Sequence, residues 1–170
     1  MIGLDAIAFS LAKTLASFLF GQILDSADIS IDGAPSWYMK ESRSEICSSS
    51  FEYGNLSSVD VAKEKSILLL KKRVGDMLVL AVNENIKNAS DSEKIFLESF
   101  LKDRGYEIFI MKNSFDKNIE YVKKYKVAFV RTCLDREKLL KFEEGKIEEL
   151  KKKLTHKRAN EAFEELNDEK

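Results

Sequence analysis

The chain has 170 residues, of which 44% are hydrophobic and 34% are charged. This length is typical of one domain that buries a core without metal or disulfide support, and the composition is that of a globular protein. Lysine and arginine (28) nearly balance aspartate and glutamate (29), so the overall charge gives no attraction to nucleic acid or to an anionic membrane. One proline and seven glycines favour long helices over a many-stranded sheet.

Residues 1–25 form an apolar segment that we predict to be a helix. The stretch from Leu4 to Leu24 is long enough to span a bilayer, which needs roughly 20 apolar residues. Asp5 stands where a signal peptide carries a cation, and Lys13 lies mid-segment, where a bilayer opposes a charge. No lipobox cysteine follows the segment. These features argue against a standard signal peptide.

One side of this predicted helix carries small and polar residues within about a third of its circumference. They are Gly3, Ser10, Lys13, Thr14, Ser17 and Gly21. The spacing of Ser17 and Gly21 lets two helix backbones approach closely. We therefore predict that Ser10, Ser17 and Gly21 take part in a helix contact within a membrane or an oligomer. A core helix of a monomer is the alternative.

A polar, acidic connector follows at residues 26–36 and leads into the body of the fold. Pro35 biases the chain toward extended geometry at this entry. Trp37 and Tyr38 come next, and we interpret them as aromatic anchors at the edge of the domain. An aromatic stacking surface for a ligand is the alternative interpretation.

The rest of the chain predicts an α+β fold, with a small three-stranded antiparallel sheet packed against long helices. The predicted elements are a strand at 46–53, helices at 59–87 and from 90 or 91 to 101, an ambiguous segment at 106–111, strands at 115–122 and 125–134, and a final helix capped by Asp135. The α+β domain spans residues 37–154. Residues 155–170 form a charged helical tail, for which a solvated or frayed state is expected.

The long helix at 59–87 carries more apolar surface than one contact requires. One seam consists of Ile67, Leu70, Val74, Met77 and Ala81, at spacings of three and four residues. Further apolar residues widen it, namely Leu68, Leu69, Leu78, Leu80 and Val82. We expect the sheet to cover one side of this helix, and another helix or a partner chain to cover a second.

The two cysteines, Cys47 and Cys133, are far apart in sequence and form no CxxC pair, which argues against a zinc or redox site. Both fall in predicted strands. Two buried free thiols are the simpler interpretation, and a disulfide requires neighbouring strands and an oxidising compartment.

No recognised catalytic or cofactor-binding motif is present, so we predict neither an enzyme nor a cofactor nor a metal site. The single histidine, His156, lies in a charged helix and is interpreted as a surface residue. Acidic pairs at Glu143-Glu144 and Glu148-Glu149 are interpreted as surface ion-pairing residues rather than a catalytic dyad. Basic clusters at 71–73, 123–126 and 151–153 with 157–158 are interpreted as solvated faces, and nucleic acid is not favoured as a partner.

Several segments taken together resemble a known family. They are Pro35-Ser36-Trp37-Tyr38, Arg43-Ser44-Glu45, a strand into Gly54, a helix opening with Ala62 and Lys65, and Val127-Ala128-Phe129-Val130 followed by Asp135. This order, over about residues 34–146, resembles the small envelope lipoproteins of epsilonproteobacteria typified by the Helicobacter outer-membrane lipoprotein of about twenty kilodaltons. That family includes flagellar basal-disk proteins of the FlgP type and is similar to the tumour-necrosis-factor-alpha-inducing protein.

The resemblance implies an oligomeric, non-catalytic module of the cell envelope, periplasmic or membrane-associated. Its expected partners are further copies of the chain and envelope or flagellar-motor proteins, with membrane contact through the N-terminal helix. A structural subunit of a flagellar-motor-associated disk or ring is the resulting expectation. The alternatives are a secreted or periplasmic dimeric effector that acts on a host or envelope partner, and a cytoplasmic or inner-membrane adaptor.

Overall fold

The computed structural model describes residues 2–21, 31–103 and 105–168. The elements in chain order are α1 (Ile2–Gly21), β1 (Glu45–Tyr53), α2 (Ser58–Ile86), α3 (Asp91–Leu101), α4 (Gly105–Asn113), β2 (Phe115–Val122), β3 (Val127–Asp135) and α5 (Arg136–Asp168). The predicted α+β class is confirmed. Residues 22–30, which include positions 26–30 of the predicted connector, lie outside the described residues.

The three strands form one antiparallel sheet in the order β1-β3-β2, so β3 is the central strand and the other two are edges. Its residues from Val127 to Leu134 are all buried, because α2 covers one face of the sheet and the segment around Tyr38 covers the other. Alternation along the strand places Ala128 and Val130 on the α2 face, and Phe129 on the opposite face, which we call the outer face.

The α2 face is held by small and hydroxylated side chains that allow a close approach. Ala62 packs on Ala128 and Val130, and the hydroxyls of Ser66 and Thr132, both buried, form a hydrogen bond. Because buried polar groups are costly without partners, this pair also favours one register of α2 on the sheet.

The main core lies between the helices, and it contains side chains from both the N-terminal and the C-terminal helix. Helix α1 is part of it. Its buried residues are Leu4, Ile7, Ala8, Leu11, Leu15 and Leu19, and they belong to the same cluster as residues of α2, α3, α4 and α5. The structure therefore places α1 in the core, as in the alternative considered from the sequence.

By length and composition, α1 also meets the requirements for a membrane span. The window Gly3–Phe20 has a mean hydropathy of 1.4, and 33% of it is buried inside the fold. Its other side is open, with Phe9 and Phe20 exposed. An apolar N-terminal helix is thus present, and this test alone does not separate a core helix from a membrane helix.

Local hydrogen bonds explain where the later helices begin. At α3, Ser90 and Glu93 form a capping box. The ambiguous segment at 106–111 is helical, because the Asp103 carboxylate accepts a hydrogen bond from the Gly105 amide (2.7 Å) and a new helix starts there. Asp135 accepts one from the Lys138 amide (2.8 Å) at the start of α5, as the sequence predicted.

Helix α5 corrects one interpretation of its acidic residues. Glu149 is a surface ion-pairing residue, bonded to Lys153 at 2.6 Å. Glu143 is not, because only 2% of it is exposed and its Oε2 has no hydrogen-bond partner. Helical position alone could not distinguish the two, since only packing against other helices decides which face is covered.

Candidate functional site: the open edge of the sheet

The two edges of the sheet differ in how far they are protected against further pairing. Strand β2 has an irregularity between Asp116 and Asn118, and Lys117 lies within it. Bulges and charged side chains are the usual protection of edge strands. Strand β1 pairs with β3 in unbroken register from Glu45 to Tyr53, without a bulge, lysine or proline. Its two charged residues, Glu45 and Glu52, are each paired with a lysine of another element. Within the described residues, edge β1 is therefore open to further pairing.

The backbone groups that β1 presents at this edge follow from its alternation. The Cys47 carbonyl accepts a hydrogen bond from Arg73 Nη1 on α2 at 2.5 Å, so it points away from β3. The Cα atoms of Cys47 and Cys133 are 4.1 Å apart, which is typical of a pair that does not exchange ladder hydrogen bonds. Ser49 and Phe51 therefore also direct their amides and carbonyls outward. Among the described residues, no hydrogen bond beyond the sheet satisfies these groups.

A largely apolar groove of about 620 Å³, whose lining also includes the ion pair of Glu52 and Lys65, runs beside these free backbone groups. Tyr38 borders it on the outer face of the sheet, and Leu68 and Leu69 of α2 border it on the other side. Leu68 is 61% exposed, and Leu69 and Tyr53 are also exposed. These leucines belong to the apolar surface of α2 for which the sequence predicted a second cover, and the described part of this chain leaves them uncovered.

A smaller cavity of about 240 Å³ continues the groove, and its charged lining residues are two arginines, Lys40 and Glu41. It shares Tyr38, Ser49 and Leu69 with the groove, and it adds Arg73 and Arg131. We call it the arginine pocket. Apolar surface beside a few convergent polar groups is the usual make-up of a binding site.

Arg131 is the central residue of the arginine pocket. It lies on β3, is only 5% exposed, and donates from Nη1 to the Trp37 carbonyl at 2.8 Å, while its Nε has no partner. In the described part of the chain, no carboxylate lies within salt-bridge distance of Arg131, whereas Arg73 pairs with Glu41 at 3.2 Å. Burial lowers the pKa of Arg131, and Glu41 and Glu45 oppose that shift from a distance. A buried cation without a close counter-ion is costly.

The two aromatic residues that the sequence placed at the edge of the domain, Trp37 and Tyr38, lie at this site. Tyr38 is buried and meets Phe129 edge-on, with ring centroids 5.1 Å apart. Burial raises the pKa of Tyr38 to about 12, so the phenol stays neutral at physiological pH. Trp37 is half-buried and donates from Nε1 to Glu120 at 3.3 Å. Tyr38 is thus an anchor on the sheet, and its ring also forms one border of the groove.

The cysteines meet on the outer face, where the structure joins Cys47 and Cys133 in a disulfide. The sequence left free thiols and a disulfide open, because pairing depends on the strand register. The Glu45 carboxylate lies within 4.8 Å of both sulfur atoms. Because the sulfurs are bonded to each other, they offer no thiolate to a metal ion.

The small-residue stripe of α1 is not part of this site. Ser10 donates to Asn85 of α2 at 2.5 Å, and Asn85 in turn donates to Thr14 at 3.2 Å, so two stripe residues are engaged within the chain. Ser17 is exposed. The surroundings of the Gly21 position lie outside the described residues.

Sequence reasoning missed Arg73 and Arg131 as site residues. The available signal was a single arginine within the apolar run Val127-Ala128-Phe129-Val130-Arg131-Thr132-Cys133-Leu134. A charged residue in a central strand is rarely buried without a partner, so it marks a candidate site. The neighbouring Arg73 gave no such signal, because it follows two lysines on an amphipathic helix.

Comparison with models of protein families, with characterised proteins and with solved structures finds no match to this chain. The resemblance to the envelope lipoproteins therefore stays a prediction, and the geometry of the β1 edge is the structural feature that bears on function.

Proposed function

We propose that this chain is a non-enzymatic assembly subunit of the bacterial cell envelope, and that its neighbours dock at the β1 edge. The observation that carries the proposal is an open, nine-residue edge strand beside the exposed leucines of α2. Monomeric proteins usually protect such edges, since an open edge is a template for pairing with another chain. A docked strand gains main-chain hydrogen bonds from Ser49 and Phe51 and covers Leu68 and Leu69.

The disulfide supports an extracytoplasmic location. Disulfides persist in the periplasm and outside the cell but are rare in the cytosol. This favours the envelope or a secreted state over the cytoplasmic adaptor considered from the sequence. A role in a flagellar-motor-associated disk or ring, and contact of α1 with a membrane, remain part of the proposal on the strength of the resemblance and of the apolar helix.

The assembly test uses substitutions that change the edge without touching the core. Leu68→Lys places a charge in the groove, and Leu56→Lys is the matched control, because Leu56 is similarly exposed (68%) but lies in the turn before α2. Light scattering on the native, detergent-extracted protein gives the oligomer mass. We expect a defined oligomer that Leu68→Lys dissociates and Leu56→Lys leaves intact. Equal mass in both variants would contradict docking at β1.

A backbone substitution tests the hydrogen-bonding part of the proposal separately. Ser49→Pro removes one outward amide and leaves the β1–β3 ladder intact, since proline is tolerated on edge strands where the amide faces solvent. Ser49→Thr keeps the amide and is its control. Only the proline variant should lose the oligomer, with circular dichroism confirming that both variants fold.

Fractionation of the producing cells separates the envelope subunit from the secreted effector. An envelope pellet supports the subunit, and accumulation in the medium supports the effector. A cytosolic protein with both thiols reduced would contradict both.

A further inference from the structure

The arginine pocket lies where a strand docked on β1 would have to end. The guanidinium of Arg73 donates a hydrogen bond to the outward carbonyl of Cys47. Arg136 likewise donates from Nε to the carbonyl oxygen of Glu45, at 3.0 Å. An added strand can therefore form ladder hydrogen bonds from Tyr53 to Ser49 but not beyond, because the next outward carbonyls are already taken. A chain that continued past Ser49 would run into these arginines.

From this geometry we propose that the groove binds the extended C-terminal segment of a partner protein, with its terminal carboxylate in the pocket of Arg73 and Arg131. This inference rests on the proposed docking at β1 and names the chemistry of the docked segment. The partner chain runs antiparallel to β1, and its last residue lies beside Ser49. Its preceding apolar side chains alternate into the groove beside Leu68, Leu69 and Tyr53.

The charges of the pocket fit a carboxylate. Arg131 has an unpartnered Nε and no salt bridge within the described chain, and it is held in place by the Trp37 carbonyl. Glu41, which also lines the pocket, is paired with Arg73, and Glu45 is paired with Lys117 on β2. In the described part of the chain, Arg131 is therefore the pocket arginine whose charge has no close partner. A planar guanidinium with a free donor matches a carboxylate better than it matches any neutral chain terminus.

A terminal carboxylate also explains why the pocket is small and sits at one end of the groove. A volume of about 240 Å³ accommodates a chain end, while the about 620 Å³ beside Ser49 to Tyr53 accommodates the residues before it. Capture of a C-terminal carboxylate together with strand addition is an established mode of peptide recognition.

The experiment compares two peptides that differ only at the C-terminus. The probes are acetyl-Thr-Val-Thr-Val-Leu with a free carboxylate and the same peptide with an amidated end. Binding to the full-length oxidised protein is followed by the NMR signal of the Arg131 Nε–H group and by Trp37 fluorescence, since Trp37 is the single tryptophan and bonds to Arg131.

We expect the free acid to shift the Arg131 signal and to bind at least about tenfold more tightly than the amide, because charge-assisted hydrogen bonds are the stronger ones. Arg73→Gln should reduce this preference, whereas the exposed Arg43→Gln should not. Equal affinity of acid and amide, or a free acid that leaves the Arg131 signal unchanged, would overturn the inference.

These outcomes are separable from those of the assembly test. If acid and amide bind equally but Leu68→Lys dissociates the oligomer, strand docking stands and the carboxylate pocket fails. If the acid binds selectively but Leu68→Lys leaves the oligomer intact, the pocket stands and assembly through β1 fails.

Discussion

Glu143 carries a buried carboxyl group whose surroundings disfavour its ionised form. Burial raises the pKa of Glu143 to about 8, with a smaller contribution from the neighbouring Glu144. The buried hydroxyl of Tyr106 on α4 also has no partner, and its pKa is raised mainly by burial and further by Glu143. The fold therefore favours a neutral Glu143, and the energy of keeping it buried depends on pH.

We predict that Glu143→Gln stabilises the protein increasingly as the pH rises. The pKa of Glu143 is 4.5 when unperturbed and about 8 in the fold. The contribution of the neutral carboxyl group to the free energy of unfolding is therefore complete below the pKa of the unfolded chain. It is lost as the pH rises through the pKa of the folded protein. Urea unfolding at about pH 5 and about pH 9 should give a gain of a few kcal/mol for the variant only at the higher pH.

Glu164→Gln is the control for this comparison, because Glu164 is exposed on the same helix. It should change the unfolding free energy little at either pH. A Glu143→Gln effect that is the same at both pH values would show that the carboxyl does not titrate in this range.

At the scale of elements, α1 has a covered face and an open face. Leu11 is fully buried in the main core, whereas Phe9, two residues earlier, is 73% exposed. A helix that belonged only to a membrane or a neighbouring chain would show no such difference in the isolated protein.

We predict that Leu11→Ala destabilises the protein by about 2–5 kcal/mol and that Phe9→Ala changes stability by less than about 0.5 kcal/mol. The reason is that the first leaves a cavity among the helices, while the second removes surface already in water. Urea unfolding of the two variants at one protein concentration gives the comparison. Equal, small effects would mean that α1 does not pack in the core in solution.

Helix α2 shows why one element can serve both stability and docking. Leu70 and Val74 face the interior, and Leu68 and Leu69 remain exposed beside β1. The sheet and helices α1 and α3 thus pack against α2, and the side with Leu68 and Leu69 is left uncovered by the described part of the chain. The exposed side explains an amphipathic pattern that is wider than one core contact requires.

At the scale of the whole molecule, the Cys47–Cys133 disulfide connects two strands that are 86 residues apart in sequence. Such a bond restricts the unfolded chain, and removal of a native disulfide typically costs about 2–4 kcal/mol. It also ties β1, the proposed docking strand, to the central strand β3.

We predict that the double variant Cys47→Ala and Cys133→Ala folds but loses about 2–4 kcal/mol of stability, as does the natural chain in dithiothreitol. The double variant itself should be insensitive to dithiothreitol, which separates the loss of the bond from other effects of reduction. Alkylation and mass determination of the untreated protein should find no free thiol. Two alkylated cysteines in protein purified without reductant would contradict the bond.

The elements of this protein follow from local sequence. Strand β2 has the bounds Phe115–Val122 that were predicted from the sequence, and α2 and α3 lie within a residue or two of theirs. The cap at Asp135 was also correct. Hydrophobic period, turn residues and capping residues lie close together along the chain, so most elements can be recognised without their neighbours. The exception is α4, whose segment at 106–111 the sequence left ambiguous.

Which faces are covered was decided only by the tertiary structure. Leu68 and Leu78 have the same side chain on the same helix, yet the first is exposed and the second is buried against helices distant in sequence. Glu143 and Glu149 likewise lie on one helix, yet the first is buried and the second is on the surface. Arg131 is a candidate site residue because it is buried and is held by the Trp37 carbonyl. Packing brings together residues about a hundred positions apart, and burial, disulfide pairing and perturbed pKa values arise from those contacts rather than from any local pattern.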